Sequence, residues 1–144
     1  MIKSFKVEIP EENLQNIYSK VKSYQWHEMP DDGGWNYGTN LDYMKDFSKY
    51  WVEQFDWRKT EEKINKFKNF KSNIDGIDIH FIYEKGSGSN PKPLLLSHGW
   101  PGSIVEFLHI IDQLAHPEKF GGKEEDAFDV IVPSLPGFGF SSRP

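Results

Sequence analysis

Two short motifs carry the residues whose types and spacing could do chemistry. The first is His-Gly-Trp-Pro at residues 98–101, which follows an apolar run at residues 94–96 and precedes a Ser-x-x-Glu sequence that begins at Ser103. An apolar strand that runs into such a turn, with a capped helix after it, can aim a backbone N–H at an oxyanion developing in a transition state. The N–H placed to do so is that of Trp100, and one such donor contributes about 3 to 4 kcal/mol.

The residues around Trp100 are expected to shape this turn. Gly99 permits a backbone path that a side chain would block. Pro101 fixes its own φ, orients the peptide before it, and is expected to line a pocket wall. His98 has no acid or nucleophile placed for it in the sequence, so we interpret it as a structural hydrogen-bonding residue. A tight strand-to-helix turn without a site is the alternative interpretation of the motif.

The second motif is Pro-Ser-Leu-Pro-Gly-Phe-Gly-Phe-Ser at residues 133–141. Its prolines and glycines predict a fixed, irregular path at the carboxyl end of a sheet, where α/β proteins form their sites. The glycine spacing differs from that of a phosphate loop, and the serines lie outside any Gly-x-Ser-x-Gly nucleophile pattern. We expect a loop that walls a pocket, with Phe138 and Phe140 as apolar lining or core. An ordinary rigid connection is the alternative.

Composition excludes several classes of function. The 144 residues suffice for one ordinary domain, and the net charge of −5 argues against a nucleic-acid partner. The chain has no cysteine, and its histidines lack metal-ligand spacing, so we expect neither a metal nor a cofactor. No apolar run has the length of a signal or membrane-spanning segment. We therefore expect a cytoplasmic protein without a membrane anchor.

The first half of the chain is predicted to be helical and rich in aromatic residues. One helix begins after Pro10, with acidic residues in its first turn, and a turn at residues 30–34 follows it. A second helix is capped by Thr39 or Asn40, and a short third helix follows Thr60. The apolar face of the second helix is expected to be buried and consists of Leu41, Met44, Phe47, Trp51 and Phe55.

The second half is predicted to alternate strands with one helix. Asp75 and Gly76 between two alternating runs predict a β-hairpin. Apolar strands are expected at residues 94–97, buried on both faces of a sheet, and at residues 128–132. Between them, a capping box at Ser103 begins a helix. That helix is expected to bury Val105, Leu108, Ile111 and Leu114. The order hairpin, strand, helix, strand opens an α/β sheet.

The chain resembles the amino-terminal part of the microsomal and juvenile-hormone type epoxide hydrolases, members of the α/β-hydrolase superfamily. The resemblance runs essentially end to end and rests on seven pieces that occur in the order of the family. Each piece is modest alone, but the ordered set is highly specific. The pieces are residues 5–10, 35–38, 50–51, 56–58, 74–81, 98–103 and 133–141.

The resemblance implies an α/β fold in two parts. Residues 1–69 would form a helical arm that wraps the catalytic domain, and residues 70–144 would form the first part of an α/β-hydrolase domain, with an incomplete sheet. It implies that the Trp100 N–H is one oxyanion donor. In the family, an Asp carboxylate opens the epoxide, cap-domain tyrosines donate to its oxygen, and a His-activated water hydrolyses the ester to a vicinal diol. All of those groups would lie beyond Pro144, so none is assigned here.

Three hypotheses therefore follow from the sequence. The chain is the N-terminal part of an enzyme for a small-molecule epoxide, or it is a non-catalytic remnant that binds a partner chain. The third hypothesis is a hydrolase like the haloalkane dehalogenases, which share a His-Gly-x-Pro type turn and an Asp nucleophile. The helical arm and the His-Gly-Trp-Pro motif favour the epoxide hypothesis over the dehalogenase hypothesis, while the mass of the native protein would separate the first two hypotheses. We also expect self-association, or pairing with a missing C-terminal half, because residues 94–97 would otherwise form an exposed sheet edge.

Overall fold

The computed structural model describes residues 1–30 and 33–144, and these divide into two compact units. One unit contains Met1–Val7 and Lys59–Pro144, and the other contains Glu8–Arg58. The division differs from the expected boundary between residues 69 and 70. The first residues of the chain form a strand of the sheet, which the sequence did not predict. In addition, residues from Lys59 onward belong to the unit that contains the sheet.

Helices α1 (Glu11–Lys22) and α2 (Leu41–Glu53) form most of the smaller unit. The predicted cap of α2 is confirmed, since the Asn40 side chain accepts a hydrogen bond of 3.0 Å from the Tyr43 N–H. Arg58 closes this unit by donating to the Ile9 carbonyl and to the Glu11 carboxylate, each at 2.8 Å. Within the predicted turn at residues 30–34, positions 31 and 32 lie outside the described residues.

The predicted buried face of α2 is only partly correct. Phe47 is 45% exposed and Trp51 is also exposed, whereas Leu41 and Met44 are half-buried. The Phe47 ring lies between those of Tyr43 and Trp51, with centroid separations of 6.3 and 6.4 Å. The apolar stripe of α2 is wider than the side that packs within its own unit, so part of it faces outward.

The larger unit is built on a five-stranded sheet with the order β1-β2-β3-β5-β4. Its strands are β1 (Ile2–Phe5), β2 (Asn69–Ile74), β3 (Ile77–Glu84), β4 (Lys92–Leu95) and β5 (Phe128–Pro133). All neighbouring strands are antiparallel except β4 and β5, which are parallel. The predicted hairpin is confirmed: Asp75 and Gly76 have φ of 50° and 86°, the left-handed values that a tight two-residue hairpin turn requires.

Residues between β4 and β5 pack against β3 and β5. Helix α3 (Trp57–Asn65) precedes β2, while the crossover contains a 3₁₀ turn at Ile104–Phe107 and helix α4 (Ile111–Ala115). The predicted capping box at Ser103 is confirmed. The buried positions of the predicted helix are partly correct: Ile111 is buried, and Leu108 and Leu114 are half-buried. The first of them is wrong, because Ile104 is buried and Val105 is exposed. A 3₁₀ turn has three residues per turn, which shifts the buried positions from those of an α-helix.

The edge position of β4 contradicts the expectation that its residues are buried on both faces. β4 pairs only with β5 among the described strands, and its Leu95 side chain is 63% exposed. The buried apolar residues of this region belong instead to β3, to β5 and to the crossover between β4 and β5. They include Ile82, Val130, Val132, Ile104, Ile111 and Ala115.

A buried polar cluster holds β2, β3 and the end of β5 together. The His80 ring is fully buried, with Nε2 at 2.9 Å from Asn69 Oδ1 and Nδ1 at 2.9 Å from Ser134 Oγ. The Asn69 amide nitrogen donates to the backbone carbonyls of Ile64 and Phe67, so its oxygen faces the imidazole as an acceptor. His80 therefore carries its proton on Nε2, and the Ser134 hydroxyl donates to Nδ1.

Acidification is expected to destabilise the chain through His80. Burial, and after it the charge of Lys71, lowers the pKa of His80 from 6.5 to about 4. Between these values the unfolded chain binds a proton that the folded chain does not, so the free energy of unfolding falls as the pH drops through this window. The total loss is about 3 kcal/mol, and urea denaturation at a series of pH values measures it.

Two variants separate this contribution from that of other titrating groups. His80→Gln should unfold with a shallower pH dependence across the same window, because the titrating ring is gone. The exposed His27 serves as the matched control, and His27→Gln should retain the wild-type dependence. Identical slopes for wild type and His80→Gln would contradict the assignment.

Candidate functional site

Both chemistry-bearing motifs follow directly from the two parallel strands. β4 leads into the turn at residues 96–103, and β5 leads into the loop at residues 134–142. Because the carboxyl ends of neighbouring parallel strands meet at one edge of a sheet, the turn and the loop lie side by side. The Leu96 N–H donates to the Ile131 carbonyl at 2.9 Å, which extends the strand pairing up to the turn.

His98 joins the turn to the loop. Its ring is buried, its Nε2 lies 3.1 Å from the Leu135 backbone nitrogen, and its Nδ1 lies 2.9 Å from the Gly99 carbonyl oxygen. A backbone N–H can only donate, so Nε2 is the unprotonated acceptor and Nδ1–H donates to Gly99. The Phe138 ring packs edge-on against the imidazole at a centroid separation of 5.4 Å. His98 thus makes the structural hydrogen bonds that its sequence context suggested.

The Trp100 backbone N–H has no hydrogen-bond acceptor in the part of the chain that the structure describes. Its indole is 85% exposed, and Pro101 is also exposed. The peptide bond between Trp100 and Pro101 is cis. A backbone donor without an acceptor among the described residues therefore lies at the carboxyl edge of the sheet. Its oxyanion-donor role, and the pocket-wall role of Pro101, remain predictions.

The two phenylalanines of the loop have different surroundings. Phe138 is half-buried against His98, beside the turn. Phe140 packs against Phe5 and His80, at centroid separations of 5.7 and 5.1 Å. Of the two alternatives open for these rings, Phe140 has the contacts of a core residue. Phe138 contacts the turn through His98, and its role as pocket lining stays a prediction.

Serines of the loop fasten it to β3, a role that the sequence analysis missed. Ser141 Oγ donates to the Ser134 carbonyl at 2.6 Å and accepts the His80 N–H at 2.9 Å. The Ser142 N–H donates to the Asp78 carbonyl at 2.9 Å. Serine spacing alone gives no signal of such bonds, because they depend on which strand lies alongside. The loop is consequently a fixed wall whose path is set by β3.

The structural requirement for glycine in the turn lies at Gly102 and not at Gly99. The expectation that a side chain at position 99 would be blocked is wrong, since a Cβ there meets no described atom within 4 Å and φ is outside the left-handed region. A Cβ at position 102 would lie 2.8 Å from the Gly99 carbonyl oxygen and would also collide with Glu106 Oε1. That carboxylate is held in place because it accepts the Ser103 N–H at 2.9 Å.

Two family models match the chain, and both matches include the turn at residues 96–103. Residues 2–107 match the family model described as epoxide hydrolase N terminus, and residues 92–144 match that of the alpha/beta hydrolase fold. The chain belongs to the epoxide hydrolase N-terminus family. The resemblance inferred from the sequence is therefore confirmed, as is the α/β-hydrolase fold class with an incomplete sheet.

Relatives and solved structures cover nearly the whole chain. Epoxide hydrolase 1 of Sus scrofa is 42% identical, over 97% of this chain and 32% of its own length. The juvenile hormone epoxide hydrolase of Bombyx mori superposes with a TM-score of 0.87 at 32% identity, over 99% of this chain and 34% of its own. The Aspergillus niger epoxide hydrolase gives 0.86 at 31% identity, over 100% and 37%. The chain thus spans about a third of the length of the curated relatives it matches.

Two further findings concern the described residues alone. No helix in residues 1–30 and 33–144 is long and apolar enough to cross a membrane. The same residues contain no group of three or more His, Asp or Glu side chains that could hold a metal ion.

The two glycines of the turn give a direct test of its packing. Gly102→Ala should lower the free energy of unfolding by about 1 to 3 kcal/mol, because the new Cβ must displace the Gly99 carbonyl and the Glu106 carboxylate. Gly99→Ala is the matched control and should change it by less than about 1 kcal/mol. Urea denaturation of both variants measures the difference. Equal destabilisation by the two substitutions would show that the turn is packed differently.

Proposed function

We propose that the complete protein hydrolyses small-molecule epoxides to vicinal diols, and that this chain supplies the Trp100 N–H as one oxyanion donor. The observation that carries the proposal is the free Trp100 N–H at the carboxyl edge of the sheet. Membership of the epoxide hydrolase N-terminus family and the names of the relatives support the substrate class. The proposal places the nucleophile, the cap tyrosines and the base in further polypeptide of the complete protein.

The donor has a defined step to act on. In the first half of the proposed reaction, a carboxylate oxygen bonds to an epoxide carbon and the carbon–oxygen bond of the ring breaks. The released ring oxygen takes a proton from a cap tyrosine, which gives an ester with a neighbouring hydroxyl group. In the second half, water gives a proton to the base and its oxygen adds to the ester carbonyl, which places negative charge on the carbonyl oxygen. The Trp100 N–H stabilises that charge before the intermediate collapses to the diol and the free carboxyl group. The base returns the proton to the leaving alcohol oxygen when the carbon–oxygen bond to it breaks.

Replacing the Trp100 N–H by oxygen, with a backbone ester that keeps the indole, tests the donor role in the complete protein. The rate of ester hydrolysis should fall by about 10²- to 10³-fold, since one oxyanion donor is lost. Trp100→Phe keeps the N–H and should lose far less activity. The measurements are diol formation from a styrene oxide-type substrate and mass-spectrometric detection of the accumulated ester.

The outcomes separate the role of the residue from the function. Wild-type complete protein that forms no diol from any tested epoxide would overturn the proposed function. Diol formation that tolerates the backbone ester but not Trp100→Phe would retain the function and refute the backbone role. The 144-residue chain by itself should form no diol, because covalent turnover needs a nucleophile that the proposal places elsewhere.

We also propose that the free edge of β4 pairs with further polypeptide of the complete protein. β4 is hydrogen-bonded on one side only among the described strands, and Leu95 is largely exposed beside that edge. An unpaired row of N–H and C=O groups with apolar side chains is a template for strand pairing. In the absence of its natural neighbour, such an edge pairs with a second copy.

The purified chain is therefore expected to self-associate, which light scattering over a range of concentrations measures. Leu95→Lys should reduce association, because lysine on an edge strand opposes pairing. Val105→Lys is the control, since Val105 is also exposed but lies in the 3₁₀ turn and not on the edge. A wild-type chain that stays monomeric at all concentrations would contradict the proposal.

A further inference from the structure

We propose that His98 is a positioning residue that fixes the direction of the Trp100 N–H, and that it does so in a single tautomer. The proposal rests on the proposed function of that N–H as a donor, but its structural basis is independent of activity. Three features carry it: one shared peptide group, the hydrogen bonds of the imidazole, and the space at Gly102.

The Gly99 carbonyl and the Trp100 N–H belong to the same peptide group. Among the described residues the only cis peptide follows Trp100, so the peptide between Gly99 and Trp100 is trans. In a planar trans peptide the C=O and N–H point in opposite directions. A contact that holds the Gly99 oxygen therefore also sets where the Trp100 N–H points.

His98 provides that contact in only one of its neutral forms. Nδ1 lies 2.9 Å from the Gly99 oxygen and needs a proton to bond to it. Nε2 faces the Leu135 N–H at 3.1 Å and must be free of a proton to accept it. The two bonds together require the Nδ1–H tautomer, and the second comes from the loop at residues 134–142. The Leu135 N–H of the loop thus determines the tautomer of His98. The proton that this tautomer carries on Nδ1 then holds the peptide between Gly99 and Trp100.

The absence of a side chain at Gly102 leaves room for the same Gly99 carbonyl oxygen. A Cβ at this position would approach to 2.8 Å from the Gly99 oxygen, closer than real Cβ contacts. The oxygen thus occupies space that only glycine leaves open, while the imidazole bonds to it. The orientation of the peptide is therefore set by two separate features of the turn.

Two substitutions of His98 each keep one of the two hydrogen bonds of the imidazole and remove the other. In His98→Asn, the amide nitrogen takes the place of Nδ1 and can still donate to Gly99, but nothing accepts the Leu135 N–H. In His98→Gln, the longer amide reaches the Nε2 position and can accept that N–H, but the donor to Gly99 is lost. The exposed His109 provides the control His109→Gln.

In the complete protein, His98→Gln should lower kcat by about 10- to 100-fold and change KM by less than about threefold, because the misdirected N–H acts in the transition state. His98→Asn should lose at least about fivefold less of kcat than His98→Gln. His109→Gln should match wild type. A larger loss for His98→Asn than for His98→Gln, or a loss confined to KM, would overturn the proposal.

Nuclear magnetic resonance of the present chain tests the geometry without activity. Nitrogen–proton correlation of wild type should show His98 protonated at Nδ1 and unprotonated at Nε2, and this measurement needs no variant. The residual dipolar coupling of the Trp100 N–H should change in His98→Gln and persist in His98→Asn. A proton on Nε2, or equal changes in both variants, would overturn the proposal. A complete protein without diol formation would refute the proposed function and leave this test intact.

Discussion

Parallel pairing between β4 and β5 is the contact on which the candidate site depends. The register that places Leu95 opposite Ile131 brings the ends of both strands to the same edge. The turn after β4 and the loop after β5 are separated by some thirty residues of sequence, yet they emerge side by side. A shift of this register would separate His98 from Leu135, and the Nε2 atom of the imidazole would lose its hydrogen-bond partner.

Two buried histidines stabilise this region in opposite tautomers. His80 carries its proton on Nε2 because Asn69 presents an oxygen to it, and His98 carries its proton on Nδ1 because Leu135 presents an N–H. Each tautomer is imposed by a neighbour that can play only one part in a hydrogen bond. Each ring therefore joins two segments of the chain through hydrogen bonds of fixed direction. At His80 the consequence is that the free energy of unfolding falls in acid, because burial lowers the pKa of the ring.

The sequence predicts the parts of this fold that depend on local chemistry. The hairpin at Asp75, the cap at Asn40 and the capping box at Ser103 all follow from residue types within a few positions of one another, and the structure has all three. The turn at residues 98–101 is likewise predicted from residue types within a few positions of one another. Family resemblance extended these local signals to the fold class.

The parts that could not be predicted depend on neighbours distant in sequence. β1 has only one half-buried residue and is a strand because β2 lies beside it. The burial of Ile104 in place of Val105 depends on a 3₁₀ turn that periodicity does not reveal. The need for glycine at position 102 depends on the carbonyl of Gly99. The sequence shows glycine at both positions and does not indicate which of them a side chain would block.

Pairing of β1 with β2 makes Glu8–Arg58 an insertion within the sheet domain. The chain leaves the larger unit after Val7 and enters it again at Lys59. Within that unit, the Asn65 side chain bonds to both the N–H and the C=O of Val7, at 2.9 and 2.7 Å. The segments on either side of the insertion are thus joined by a side-chain amide, which makes the two backbone hydrogen bonds that a paired strand would make. Since closing a longer loop costs little additional entropy, the inserted segment could lengthen, shorten or be exchanged during evolution while the sheet keeps its register.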